Sequence, residues 1–324
     1  MPIPSEIILT LKMLKGIGNK TILKLVQQAK CGINNLDELI CFWATLKGKT
    51  FEKITDDDLV EAYRSAIRII SMSSEHGIGV FTYFDDSYPN ILKECTDETG
   101  KLDPPILLYY RGNLDVLKAP GVAVIGTREP TENGVKAGLY FSEQFAAKGY
   151  NIVSGLAIGC DTTGHKGALQ AGGITTAFLA NGLDWDSIYP KENLELAKRI
   201  VANNGLLLSE YPVGQSCGTY GLVARDRLQA GLSLATIVIQ TGISGGTMHA
   251  VNATIASKKP LFVVRYNSPT DKEHEKVLGN AYLVKEKGAY PLQSTTFDSA
   301  IEIINASRKR EPQSQMNPKS LFDL

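Results

Sequence analysis

This sequence predicts an α/β fold: an extended Rossmann-like, doubly wound parallel sheet with a small N-terminal all-α domain. Three observations carry that expectation. From Gly121 onward, short apolar runs alternate with helical patterns. Those runs are apolar along their whole length, as strands covered on both faces must be. Glycine-rich loops follow several of them, at the edge where open α/β sheets bind their ligands.

Taken in order, residues 5–80 read as short helices. Apolar residues at three-to-four spacing place helices at Glu6–Leu14 and Lys20–Lys30, separated by Lys15-Gly16-Ile17-Gly18-Asn19. Leu36–Thr45 predicts a third helix, and Asp57–Glu75 a fourth, capped by Thr55 or Asp56. Residues 77–118 are mixed, with Tyr88-Pro89, Pro104-Pro105 and an extended stretch Ile106–Tyr110. Strands are then expected at Val122–Ile125, Asn151–Ser154, Thr175–Leu179, Gly205–Ser209, Thr236–Gln240 and Pro260–Val264. Helices fill the gaps, including Gly134–Lys148, Asn193–Asn203 and Thr247–Ser257. The expected organisation is a helical domain over 1–78, a Rossmann-like domain over 79–305, and a flexible tail over 306–324. That tail is rich in Ser, Gln, Pro and Lys.

A chain of 324 residues, 43% hydrophobic, can bury a large core. Basic and acidic residues tie at 34 each, so mean charge points to no partner. Their distribution is uneven: residues 1–30 carry five lysines against Glu6, whereas residues 51–100 carry eleven acids against four bases. Positive charge is thus placed locally, as a site needs. The five cysteines are scattered and form no C-x-x-C pair, which argues against a disulfide framework or zinc ribbon. With no signal peptide and no membrane-length apolar run, a soluble cytoplasmic protein without membrane or cofactor is expected.

Three loops suit an anion. The first, Gly126-Thr127-Arg128, follows a strand but is not G-x-G-x-x-G, and no acid closes a ribose site behind it. Arg128 could instead grip phosphate bidentately. The second, Ser154-Gly155-Leu-Ala-Ile-Gly159-Cys160-Asp161, could form a nest with Ser154 as a hydroxyl donor. Asp161 suits a helix cap there, and Cys160 with His165 fits packing better than a nucleophile pair. The third, Ser244-Gly245-Gly246-Thr247, opens a helix whose dipole favours phosphate. Lys191 stands at a helix start, where a cation suits an external anion and not the helix dipole. Arg225 and Arg227 stand two apart, so that one could face phosphate while the other pairs internally. Lys15–Lys20 looks like a helix-hairpin-helix, which aims amides at a DNA phosphate, or else a plain αα-turn.

These stretches, in this order, resemble the DNA-processing protein A family (DprA, also called Smf). The resemblance spans roughly residues 80–265. It rests on Tyr88-Pro89, Pro104-Pro105, Arg111-Gly112, Val122–Arg128, Ser154–Asp161, His165, Gly182–Asp184, Tyr189–Asn193, Leu208–Pro212, Arg225–Ser233 and Ser244-Gly245. It implies a non-enzymatic protein that binds single-stranded DNA, forms a homodimer and hands the strand to a RecA-type recombinase, notably in natural transformation. Arg128 and Lys191 would contact DNA, with the glycine loops and the arginine segment alongside; Tyr189, Tyr211 and Tyr220 could stack bases. Three departures stand out. The family's Arg-Asn-Arg reads Arg225-Asp226-Arg227, its Phe-Pro reads Leu222-Val223-Ala224, and its Ser-Gly-Ser reads Ser244-Gly245-Gly246-Thr247.

An alternative is a nucleotide-binding or nucleotide-hydrolysing protein similar to the lysine-decarboxylase-like phosphoribohydrolases. Ser244–Thr247 partly echoes their Pro-Gly-Gly-x-Gly-Thr, but no Glu follows within a helix turn. The terminal Ser320-Leu-Phe-Asp-Leu324 could dock on a partner such as the replication sliding clamp.

Overall fold

The computed structural model describes residues 3–29 and 32–310. Four helices come first: α1 (Ser5–Met13), α2 (Asn19–Gln28), α3 (Leu36–Trp43) and α4 (Asp56–Glu75). A capping box starts α4 one residue earlier than expected. Asp58 N–H donates to Thr55 Oγ1 at 3.2 Å, and Thr55 N–H donates back to Asp58 Oδ2 at 2.7 Å. Two antiparallel strands follow, β1 (Gly79–Thr82) and β2 (Leu107–Gly112), with α5 (Asn90–Lys93) between them.

The alternating region contains β3 (Gly121–Ile125), α6 (Glu132–Ala147), β4 (Asn151–Ser154), α7 (Cys160–Gln170) and β5 (Thr175–Leu179). It continues through α8 (Leu194–Ala202), β6 (Leu206–Ser209), α9 (Thr219–Leu232), β7 (Ala235–Val238), α10 (Thr247–Ala256) and β8 (Leu261–Val264). After α11 (Pro269–Lys272) and α12 (Leu278–Lys287) come β9 (Tyr290–Leu292) and α13 (Phe297–Arg310). The expected elements recur within about two residues at their ends.

Among the described residues, one sheet carries all nine strands in the order β1-β2-β6-β5-β4-β3-β7-β8-β9. The stretch from β6 to β9 is parallel, and β3 through β8 are buried at every position, so helices cover both faces. The doubly wound expectation therefore holds, with β1 and β2 as an antiparallel addition at one edge. Strand order reverses at β3: the chain runs outward through β4, β5 and β6, then returns to lay β7 on the other side. The crevice beyond the carboxyl ends of β3 and β7 is the topological switch point.

The two expected domains share one core. Ile7, Leu39 and Leu59 of the helical segment belong to the same buried apolar cluster as Leu107, Leu108, Leu207 and Leu208. Position 78 marks a change of architecture with no break in packing. At the other end, α13 continues through 306–310, where a flexible tail was expected, because Phe297 packs edge-on against Phe145, with centroids 4.8 Å apart, and Ile304 is fully buried. Lys30 and the docking segment Ser320–Leu324 lie outside the described residues.

Candidate nucleic-acid interface

The three expected anion loops do meet at the switch point, but their chemistry divides differently. The loop after β3 is held by Gln240, at the end of β7. Thr127 N–H donates to the Gln240 carbonyl at 2.7 Å, Thr131 N–H to its Oε1 at 2.9 Å, and its Nε2 to Thr131 Oγ1 at 2.8 Å. The Thr127 amide is consumed internally, so this loop offers an anion the Arg128 side chain. Arg128 is exposed and makes no hydrogen bond or close ion pair among the described residues. Gly126 is required by close approach, since a Cβ there would lie 2.6 Å from Cys160 Sγ and 2.7 Å from the Gln240 carbonyl.

The second loop is a nest that the protein fills itself. Gly155 N–H and Ala157 N–H both donate to Asp161 Oδ2, at 3.1 and 3.3 Å. Ser154 is no anion donor: its buried hydroxyl donates to the Val124 carbonyl at 2.6 Å. Gly159 (φ +82°) caps α7 and presses on the first loop, where a Cβ would come 2.5 Å from the Thr127 carbonyl. The Cys160–His165 pair is ruled out as a nucleophile couple. Burial pushes the thiol up to about 12 and the imidazole down to about 3, and His165 Nδ1 lies 2.7 Å from Thr175 Oγ1.

The third loop leaves four successive amides without an acceptor among the described residues. The N–H groups of Ser244, Gly245, Gly246 and Thr247 find no protein acceptor among the described residues, and they stand at the start of the ten-residue α10. This loop, Arg128 and α9 enclose a cavity of about 710 Å³. A smaller cleft of about 130 Å³, walled by Gly155, Tyr189 and Pro190, shares Arg128, Ala157, Leu222 and Arg225 with it.

Leu222, Arg225, Asp226 and Gln229 all line the larger cavity, spaced as one face of α9. Arg225 is 5% exposed and makes no hydrogen bond among the described residues. Its Nε lies 3.4 Å from Asp226 Oδ1, and its Nη1 lies 3.9 Å from Asp161 Oδ2. Burial pushes the Asp161 carboxyl up to about 6 despite Arg225 beside it, and burial raises Asp226 as well.

Two of the expected contact residues are placed elsewhere. Arg227 leaves α9 on another face, where it donates to both Glu210 oxygens at 2.9 and 3.0 Å and meets Asp103 Oδ2 at 2.6 Å. It is an internal ion-pair residue, not a ligand for phosphate. Lys191 is exposed, its ammonium bonded to the Asp186 carbonyl, and it lines neither cavity, although Tyr189 and Pro190 just before it line the cleft. Sequence reasoning missed Gln240 and Gln229. A lone Gln at a strand end or within a helix carries no pattern; their roles exist only after β7 and α9 are placed beside the β3 loop.

The sequence profile of the family described as DNA recombination-mediator protein A matches residues 79–304. The chain belongs to that family. The match begins at β1 and ends in α13, so it takes in the whole sheet and leaves the helices α1–α4 outside. A relative from Streptococcus pneumoniae described as DNA processing protein DprA is 37% identical over 188 residues, covering 57% of this chain and 62% of its own length. Protein Smf of Synechocystis is 34% identical over 222 residues, covering 64% and 54%. The chain thus spans little more than half the length of these relatives. Among solved structures, the Streptococcus pneumoniae DprA crystal structure superposes with a TM-score of 0.70 at 28% identity, covering 93% of this chain and 98% of that one. Helicobacter pylori DprA, solved in work on its single-stranded DNA binding mode, superposes at 0.58 with 28% identity, covering 69% and 96%. No helix among the described residues is long and apolar enough to cross a membrane.

Proposed function

We propose that this protein binds single-stranded DNA across the carboxyl edge of its sheet and delivers it to a RecA-type recombinase. The observation that carries the proposal is the pairing of Arg128, exposed and without a close partner, with the free amides of Ser244–Thr247 on the rim of one cavity. Guanidinium and backbone N–H groups are the donors that phosphate recognises. Gly126, Thr127, Gly155 and Gly159 serve the site by holding its loops in register. Lys191 extends the positive rim beyond the cleft, and Tyr189, 46% exposed at the cleft wall, offers a stacking face.

The family's description as a recombination mediator supports the recombinase partner, and the Helicobacter relative supports the strand. The role is one of binding, not catalysis, in the cytoplasm, and a homodimer would gain avidity along one strand. The test is fluorescence anisotropy with single- and double-stranded oligonucleotides at two salt concentrations. The expected result is salt-dependent preference for the single strand, weakened by Arg128→Ala with Lys191→Ala. Unchanged affinity and salt slope in that double variant would remove the assignment.

A further inference from the structure

We infer that Asn280, a buried residue near the start of α12, positions the amide loop Ser244–Thr247 at the rim of the site. The inference rests on the strand-binding proposal and deepens it, because it names the residue that sets the geometry of one of the two kinds of phosphate donor. The pairing of β7 with β8 ends at Val238 opposite Val263, and the chain then turns away into the loop. From that point the backbone needs partners from outside the ladder.

Asn280 supplies them. Its Oδ1 accepts from Thr241 N–H at 2.9 Å, and its Nδ2 donates to the Ile239 carbonyl at 2.8 Å and to the Val264 carbonyl at 2.9 Å. The reverse orientation of the amide would set its NH2 against an N–H and its oxygen against two carbonyls. One side chain, 5% exposed, therefore ties the ends of β7 and β8 to the first residue of the loop. Gly279 completes the clip. Its N–H donates to the Thr241 carbonyl at 2.9 Å, so Thr241 is held through both of its backbone groups. The approach is so close that a Cβ on Gly279 would collide with the Gly242 carbonyl.

The far end of the loop is held separately, where α10 begins: Met248 and His249 N–H donate to the Gly245 and Gly246 carbonyls, at 3.1 Å each. Gln240, next to Thr241, braces the Arg128 loop instead. Neighbouring residues at the end of β7 thus receive the supports of two different donors, Gln240 for the guanidinium and Asn280, through Thr241, for the amides. Donors set in place beforehand leave less ordering to be done on binding.

The experiment is a double-mutant cycle read by anisotropy with a labelled oligo(dT). Gly246→Pro deletes one loop amide without strain, since Gly246 has φ −57° and a Cβ there meets nothing within 4 Å. It should weaken binding about tenfold, the loss of one hydrogen bond to a charged group. Asn280→Leu, similar in size, should weaken binding at least as much, and adding Gly246→Pro to it should cost less than about twofold more, because a displaced loop no longer uses that amide. Arg128→Ala, whose loop Gln240 holds, should multiply fully with Asn280→Leu; a merely structural role would not separate the two partners. If Asn280→Leu does not fold, Gly279→Ala, which must push α12 off Gly242, takes its place in the cycle with the same expectation. Losses from positions 280 and 246 that multiply to about a hundredfold, or no loss in Asn280→Leu, overturn the inference and leave strand binding standing. No binding of any single strand by the unsubstituted protein overturns both.

Discussion

Arg225 and Arg227 are two residues apart on α9, and their guanidinium groups end in opposite kinds of environment. Arg227 is held by both oxygens of Glu210, while Arg225 lies beside two carboxylates without one hydrogen bond among the described residues. A helix turns by about 100° per residue, so positions i and i+2 point roughly 200° apart. One arginine therefore faces Glu210 and Asp103 and the other faces the cavity.

The Arg227–Glu210 pair predicts a large stability effect with no direct effect on binding. Arg227→Ala strands the Glu210 carboxylate, 17% exposed, which the pairing holds below its usual range despite partial burial, and should cost about 3 kcal/mol in urea unfolding. Arg227→Met combined with Glu210→Met should recover part of that loss, because those two charges are removed together while Asp103 keeps its carboxylate.

Arg128 predicts the reverse. It is exposed and makes no side-chain hydrogen bond or ion pair among the described residues, so Arg128→Ala should leave the melting temperature unchanged. The slope of log K against log salt for single-stranded DNA should fall by about 0.7, the contribution of one phosphate contact.

Gly155 predicts a loss of binding through its effect on Arg225. A Cβ built there lies 1.2 Å from Arg225 Nη1, so Gly155→Ala must displace that guanidinium. Anisotropy should show single-strand affinity reduced about as far as in Arg225→Ala, with a folded circular dichroism spectrum retained.

Asp161 predicts a pH dependence. Its folded value, about 6, is raised above the ordinary carboxyl value of 3.8, so the folded state keeps this proton longer than the unfolded state does. The stability it contributes is present at low pH and is lost as pH rises from about 4 through 6. A polyanion bound nearby favours the protonated form further. Single-strand affinity should therefore rise as pH falls from about 7.5 to 5.5, by at most about tenfold per pH unit. Asp161→Asn, whose amide oxygen can still accept from Gly155 and Ala157, should flatten the profile.

The sequence by itself determined the parallel sheet and its helices, and it pointed to the loops at the carboxyl edge where the site is proposed. Uniformly apolar runs such as Val122–Ile125 can only be strands buried on both faces, and the glycines after them mark where the backbone must turn tightly. It also singled out Arg128, because a cation just past a strand stands at the carboxyl edge of the sheet, where Arg128 lines the cavity. Only the tertiary structure decided which groups remain available there. Asp161 fills the nest that Ser154 and Gly155 promised, Gln240 takes the Thr127 amide, and Glu210 takes Arg227. Gln240 and Glu210 are 113 and 17 positions from their partners and are brought close by packing, whereas Asp161 is placed by the turn of its own loop. A donor's type is written locally, but whether it is already satisfied depends on long-range neighbours, and that decides what it can bind.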